Sequence, residues 1–212
     1  MTMQLTPQML LSGYAQGIFP MAQSREDPTL HWFEPRMRGI IPLDGFHISA
    51  SLARVIRRQS FTITVNTAFR AVVEGCADRP ETWINAPLLG LYAALHTHGY
   101  AHSLEVWSGD ALAGGVFGVT LGGAFFGESM FSRQSNASKV ALAYTVDRLR
   151  RSGFRLFDTQ YLTPHLKSLG GVEVPRAEYR KRLGEALPVQ ADFAKGPVSP
   201  AQLVLQRTTQ IS

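Results

Sequence analysis

Three strand-like segments stand back to back, Ala101 to Trp107, Ala111 to Leu121 and Ala124 to Glu128, joined by Gly109-Asp110 and Gly122-Gly123. Glycine-containing pairs of this kind close tight hairpins, so the three segments are expected to be consecutive strands of one sheet. The longest helical pattern of the chain follows, Asn136 to Ser152, with Val140, Ala141, Tyr144, Val146 and Leu149 as inward positions. An apolar strand, Phe154 to Phe157, comes next and runs into Asp158-Thr159-Gln160. Strands, a polar turn, a long helix and a closing strand fix an α+β arrangement on which an acyl-transfer site can be built.

The flanks are lighter in pattern. Thr6-Pro7 starts a short helix that Gly17 ends, with Leu10, Leu11 and Tyr14 inward. Ile18 to Met21 reads as an apolar loop, and Arg38 to Leu43 as a short strand broken by Pro42. Ser49 caps a helix to Gln59, with Leu52, Val55 and Ile56 on one side and Arg54, Arg57 and Arg58 on the other. Phe61 to Val65 alternates as a strand, and Thr67 to Cys76 and Ala86 to His98 read as helices. A last helix runs from Arg176 to Leu187, and the Pro-containing stretch from Pro188 to Ser212 is expected to be loose. The expected division is a small N-terminal α/β subdomain over residues 1–60, a catalytic domain over 61–187 and the tail 188–212. The order of elements in the middle part resembles the acetyltransferase-like (GNAT) fold.

A hydrophobic share of 45% supports a real core, and a formal charge of +5 is compatible with an acidic partner such as nucleic acid. The single cysteine, Cys76, excludes an internal disulfide and reads as a packed small residue rather than a nucleophile. No leader and no membrane-length apolar run is recognisable, so a cytoplasmic protein without a membrane association is expected; it is also expected to be a monomer. His96, His98 and His102 lack a nearby acid or cysteine to complete a metal set, and none is expected.

Glu128 lies among Phe125, Phe126, Gly127, Met130 and Phe131. A carboxylate in apolar company needs a partner, and it can orient an amine or hold a cation; a structural ion pair is the alternative. Asp158 and Gln160, two apart on a strand, are expected to share one face. The Gln160 carbonyl can accept from an attacking amine, which Asp158 can help to position. The turn Arg133-Gln134-Ser135-Asn136-Ala137-Ser138 sits where acetyltransferases carry a glycine-rich coenzyme A loop, but Asn136 and Ser138 stand in place of glycine and its small neighbour, which argues against coenzyme A. Arg54, Arg57 and Arg58 form either a phosphate-binding face or a solvated one. Trp83, in Glu81-Thr82-Trp83-Ile84-Asn85, is the best candidate among three tryptophans for a base-stacking platform. A coenzyme A-dependent acetyltransferase and a non-catalytic RNA-binding module remain as rival readings of these residues.

Taken together, the segments Tyr14-x-x-Gly17-Ile18-Phe19-Pro20, Thr82-Trp83-Ile84, Ala101-His102-Ser103-x-Glu105-x-Trp107, Gly127-Glu128-Ser129-Met130-Phe131-Ser132, Asn136-Ala137-Ser138-Lys139, Asp158-x-Gln160 and Ser168-Leu169-Gly170 resemble the leucyl/phenylalanyl-tRNA–protein transferase family, over Leu10 to Leu183. The resemblance implies transfer of Leu or Phe, and possibly Met, from aminoacyl-tRNA to an N-terminal Arg or Lys of a protein, marking it for N-end-rule degradation, with neither ATP nor metal nor other cofactor. It implies that Asp158 and Gln160 carry the catalytic network, with Glu128 helping to hold the amine or the basic acceptor. It implies that Trp83 stacks on the terminal adenosine, and that Val116, Phe125, Met130, Leu142 and Phe157 line the amino-acid pocket. It also implies that Arg54, Arg57 and Arg58 bind tRNA. Met21 stands where some members have a second aromatic platform, Ala50 replaces a basic residue, and Thr145 occupies a pocket position that can be aromatic.

Overall fold

The computed structural model describes residues 5–209. In chain order the elements are α1 (Pro7–Ala15), β1 (Phe19–Met21), β2 (His31–Phe33), β3 (Met37–Ile40), α2 (Ala50–Arg57), β4 (Thr62–Val65), α3 (Phe69–Ala77), α4 (Ala86–Thr97), β5 (Ala101–Ser108), β6 (Ala111–Leu121), β7 (Ala124–Ser132), α5 (Ala137–Arg151), β8 (Leu156–Gln160), α6 (Pro164–Ser168), β9 (Val172–Pro175), α7 (Arg176–Ala186) and α8 (Ala201–Thr209). Seven strands form one mixed sheet in the order β4-β5-β6-β7-β8-β3-β9, and β1 and β2 form a separate ribbon. All pairs are antiparallel except β7 with β8, which α5 joins. Both faces of the sheet are covered. One core holds Leu10 and Tyr14 of α1, Phe69 and Val72 of α3, and Leu88 and Tyr92 of α4, with Tyr179 and Leu183 of α7. The other holds Leu52 and Ile56 of α2, Val140, Ala141 and Leu149 of α5, and Val204 of α8.

The hairpins and caps follow the sequence pattern. Gly109 and Gly122 take φ of 57° and 56° at the two tight turns. Thr6, Ser49 and Asn85 each accept an early helix N–H and cap α1, α2 and α4.

Four expectations change. The closing strand is shifted from Phe154–Phe157 to Leu156–Gln160, because Phe154 N–H donates to the Leu149 carbonyl at 3.0 Å and belongs to the end of α5. The apolar stretch 18–21 is not a loop, since Phe19 to Met21 pair with His31 to Phe33. The boundary near residue 60 does not separate the strand at Met37–Ile40 from the rest, because β3 lies inside the large sheet between β8 and β9. The stretch after Pro188 is not loose over the described residues. Phe193 is 1% exposed and stacks on Phe125 at 5.2 Å and His102 at 5.0 Å. Arg148 donates to the carbonyls of Phe193, Lys195 and Gly196, while Ser199 donates to Asp147 at 2.6 Å. One buried ring and two buried charges on α5 hold a segment that has little periodicity of its own.

Candidate active site

Two irregularities in the sheet make the site. Gly118 faces Gly127 and Phe117 faces Ser129, so Glu128 is the extra residue of a bulge in β7. β7 and β8 pair only from Ala124↔Leu156 to Phe126↔Asp158. Past that point a cavity of about 620 Å³ opens against both strands, lined by 127–132 on one side and by Phe157, Thr159 and Gln160 on the other. Gly127 permits this, because a Cβ there would meet the Phe157 ring at 2.7 Å.

The second irregularity is Gln160, at φ 63°. A left-handed glutamine costs on the order of 1–3 kcal/mol and persists only where its surroundings hold it. Asp158 Oδ1 does so by accepting the Gln160 backbone N–H at 2.8 Å. The twist also breaks the alternation of the strand. Thr159 and Gln160 both line the cavity, and Asp158 does not. The expectation that Asp158 and Gln160 present their side chains on one face is therefore corrected.

Asp158 sits behind the cavity wall, fully buried. Arg38 donates to it twice, from Nε at 2.9 Å and Nη2 at 2.6 Å, and Tyr179 donates to Oδ2 at 2.8 Å. The guanidinium lies between the rings of Phe19 and Tyr179, 4.5 and 4.4 Å from their centroids, and donates to the Gly17 carbonyl. Burial works against the Arg38 charge, but Asp158 outweighs it and holds the Arg38 pKa above its usual range.

Glu128 is the front acid, 7% exposed. Tyr14 donates to Oε1 and Tyr92 to Oε2, both at 2.7 Å, and Gln160 Nε2 donates to Oε1 at 3.2 Å. Burial pushes its pKa up to about 7, against the pull of these three hydrogen bonds. Burial, and then Glu128 itself, hold both tyrosines well above their usual range. Since Gln160 gives its nitrogen to Glu128, its side-chain carbonyl is left for a donor arriving in the cavity.

Of the residues singled out by sequence, Met21, Trp83, Val116, Glu128, Met130, Leu142, Phe157 and Gln160 line this one cavity. Phe125 does not. It is fully buried behind Phe157, ring edge to face at 5.2 Å, and belongs to the core. Thr145 is also buried away from the cavity and bonds to the Ala141 carbonyl. Arg54 and Arg57 of α2 and its C-cap Arg58 are exposed and lie outside the cavity. Cys76 is buried and its thiol pKa is pushed up to about 12, which makes it a poor nucleophile. Asn136 takes φ 70° with no side-chain cap, and Ser132 Oγ instead accepts the Ser138 N–H at 3.2 Å. One amide at the start of α5 is thus already used.

The sequence matches the leucyl/phenylalanyl-tRNA protein transferase family over residues 40–184, and the N-terminal domain of the same family over residues 3–36. The chain belongs to this family. It is similar to the leucyl/phenylalanyl-tRNA–protein transferases of Cereibacter sphaeroides (64% identical, 98% of each chain) and Ruegeria sp. (59% identical, 99% of this chain and 100% of the relative). That of Paracoccus denitrificans is 54% identical over 98% of each chain. Among solved structures, FemX shares the fold at 12% identity, with a TM-score of 0.51 over 78% of this chain and 66% of FemX.

Sequence reasoning missed four residues in this leucyl/phenylalanyl-transferase family site: Tyr14, Arg38, Tyr92 and Tyr179. Tyr14 reads as an ordinary member of an apolar helix stripe, and Arg38 as the start of a short strand. The available signal was the hydroxyl, since a tyrosine on a buried stripe needs a polar partner.

Proposed function

We propose that the cavity joins a Leu, Phe or Met residue, carried as an ester on tRNA, to the α-amino group of a protein that begins with Arg or Lys. As a member of its family the chain is a tRNA-dependent aminoacyltransferase that passes Leu or Phe to protein N-termini, the step that feeds the N-end rule. The observation that carries the finer reading is the orientation of Gln160, whose nitrogen is committed to Glu128 and whose carbonyl is not.

In this reading the amine donates to Gln160 Oε1 and its nitrogen attacks the ester carbonyl carbon. The new C–N bond forms, the C–O bond to the terminal ribose breaks, the nitrogen loses a proton and the ribose oxygen gains one. The ester is already activated, so the protein has only to align two reactants and exclude water. Gln160 is the catalytic residue. Glu128 and Asp158 are positioning residues, the first through the side chain of Gln160 and the second through its backbone. Val116, Met130, Leu142 and Phe157 accept an apolar side chain unbranched at Cβ, and they line the cavity beside Gln160. Trp83 stacks the terminal adenosine, with Met21 also at the cavity wall. Arg54, Arg57 and Arg58 offer an exposed basic face to the tRNA backbone. The parting of parallel β7 and β8, together with the likeness to FemX, supports an acetyltransferase-like fold. The same reading makes the enzyme a cytoplasmic monomer; no described helix is long and apolar enough to cross a membrane.

The test is transfer of labelled Leu or Phe from intact charged tRNA to peptides beginning with Arg, Lys or Ala. Label on the basic peptides alone is the expected result. Absence of transfer from either donor overturns the reading.

A further inference from the structure

We infer that Arg79 is a phosphate ligand, and that it takes the phosphate on the 5′ side of the terminal adenosine of the donor tRNA. This rests on the proposed function and adds a contact to it that lies apart from the arginines of α2.

Arg79 follows the C-terminus of α3 and lines the cavity together with Trp83. Its guanidinium is pinned from two directions. Nε donates to the Cys76 carbonyl at 2.9 Å, and Nη2 donates to Met130 O at 2.7 Å and Ser129 Oγ at 3.0 Å. Its Nη1 has no acceptor among the described residues, and the residue is exposed. A long side chain fixed in this way has already lost its rotamer entropy, so it presents a free N–H pair at little further cost. The segment that carries it is itself held, because Arg25 Nη2 donates to the carbonyls of Ala77 and Arg79.

The surroundings select an anion. Arg25, Arg79 and Arg133 gather around the end of α3, and Arg133 lies over the Phe131 ring at 5.2 Å. Asp78 faces them, with Arg133 at 3.9 Å, and Glu128 is the other carboxylate in the cavity lining. This excess of positive charge disfavours the cationic side chain of an Arg or Lys acceptor. It suits the one anionic group that must enter near Trp83 if an adenosine stacks there and its ester reaches Gln160. Such a nucleotide carries its phosphate at the edge of the stacked base, on the wall that Arg79 occupies.

The experiment compares two minimal donors that differ by a single phosphate, the phenylalanyl ester of adenosine and that of adenosine 5′-phosphate, each with an Arg-initiated peptide. The wild type is expected to use the phosphorylated donor about tenfold better in kcat/KM, the range of a charge-assisted hydrogen bond. Arg79→Ala is expected to abolish that preference by a selective loss on the phosphorylated donor, and Arg79→Lys to restore part of it. An equal loss on both donors in both variants assigns Arg79 to bracing the cavity wall and overturns the proposal. So does a wild type that shows no preference. Transfer from neither minimal donor nor from Phe-tRNA overturns the proposed function itself, a different failure.

Discussion

The side-chain amide of Gln160 donates to Glu128 across 3.2 Å, and this bond sets which end of the amide faces an incoming substrate. Gln160→Ala removes the acceptor proposed for the amine and is expected to slow single-turnover transfer about 100-fold with little change in donor affinity. Gln160→Glu puts a second carboxylate beside Glu128 and is expected to be comparably slow near neutral pH. Rapid quench with pre-bound Phe-tRNA measures both.

In the proposed mechanism Glu128 is expected to give the reaction a pH limb. Its pKa is raised from 4.5 to about 7, so ionised Glu128, the form that holds the Gln160 amide, becomes dominant only as pH rises through about 7. kcat/KM is expected to rise over that range, and Glu128→Gln to lose the limb while losing activity. Stability runs the other way. Between pH 4.5 and about 7 the unfolded chain gives up this proton and the folded one keeps it. The contribution of Glu128 to stability is thus full below 4.5 and lost as pH rises through about 7. Urea midpoints of wild type and Glu128→Gln across this range report the difference.

Breaking the rear pair should be felt in folding before it is felt in chemistry. Asp158→Asn leaves the Arg38 guanidinium, 1% exposed, without its carboxylate. A buried charge stripped of its partner costs about 3–5 kcal/mol, which equilibrium urea unfolding would register.

In the proposed reading the apolar wall sets the donor ranking. Leu142→Phe narrows the proposed amino-acid pocket, and is expected to shift the Phe-to-Leu ratio of kcat/KM about tenfold toward Leu. Competition between the two charged tRNAs measures it directly.

The C-terminal segment carries stability. Phe193→Ala empties a ring-sized space between Phe125 and His102 and is expected to cost about 3–5 kcal/mol. Ending the chain after Pro188 should destabilise it at least as much, where a loose tail would cost nothing; thermal melting tells the two apart.

Most of the scaffold was legible in the chain. Hairpin glycines placed β5, β6 and β7, capping residues started α1 and α2, and the period of α5 named its buried face. Those features act between near neighbours, so a local pattern encodes them. The family resemblance, not a local pattern, pointed to Val116, Met130, Leu142 and Phe157 of the cavity wall. What only the tertiary structure decided is how distant polar groups pair. A one-residue bulge aims Glu128, and a left-handed φ turns Gln160 into the cavity while Asp158 stays behind it. Arg38 reaches Asp158 across 120 positions of sequence, and Tyr14 reaches Glu128 across 114. No periodicity records such contacts, because each depends on which strands lie side by side and on where burial leaves a charge no other partner.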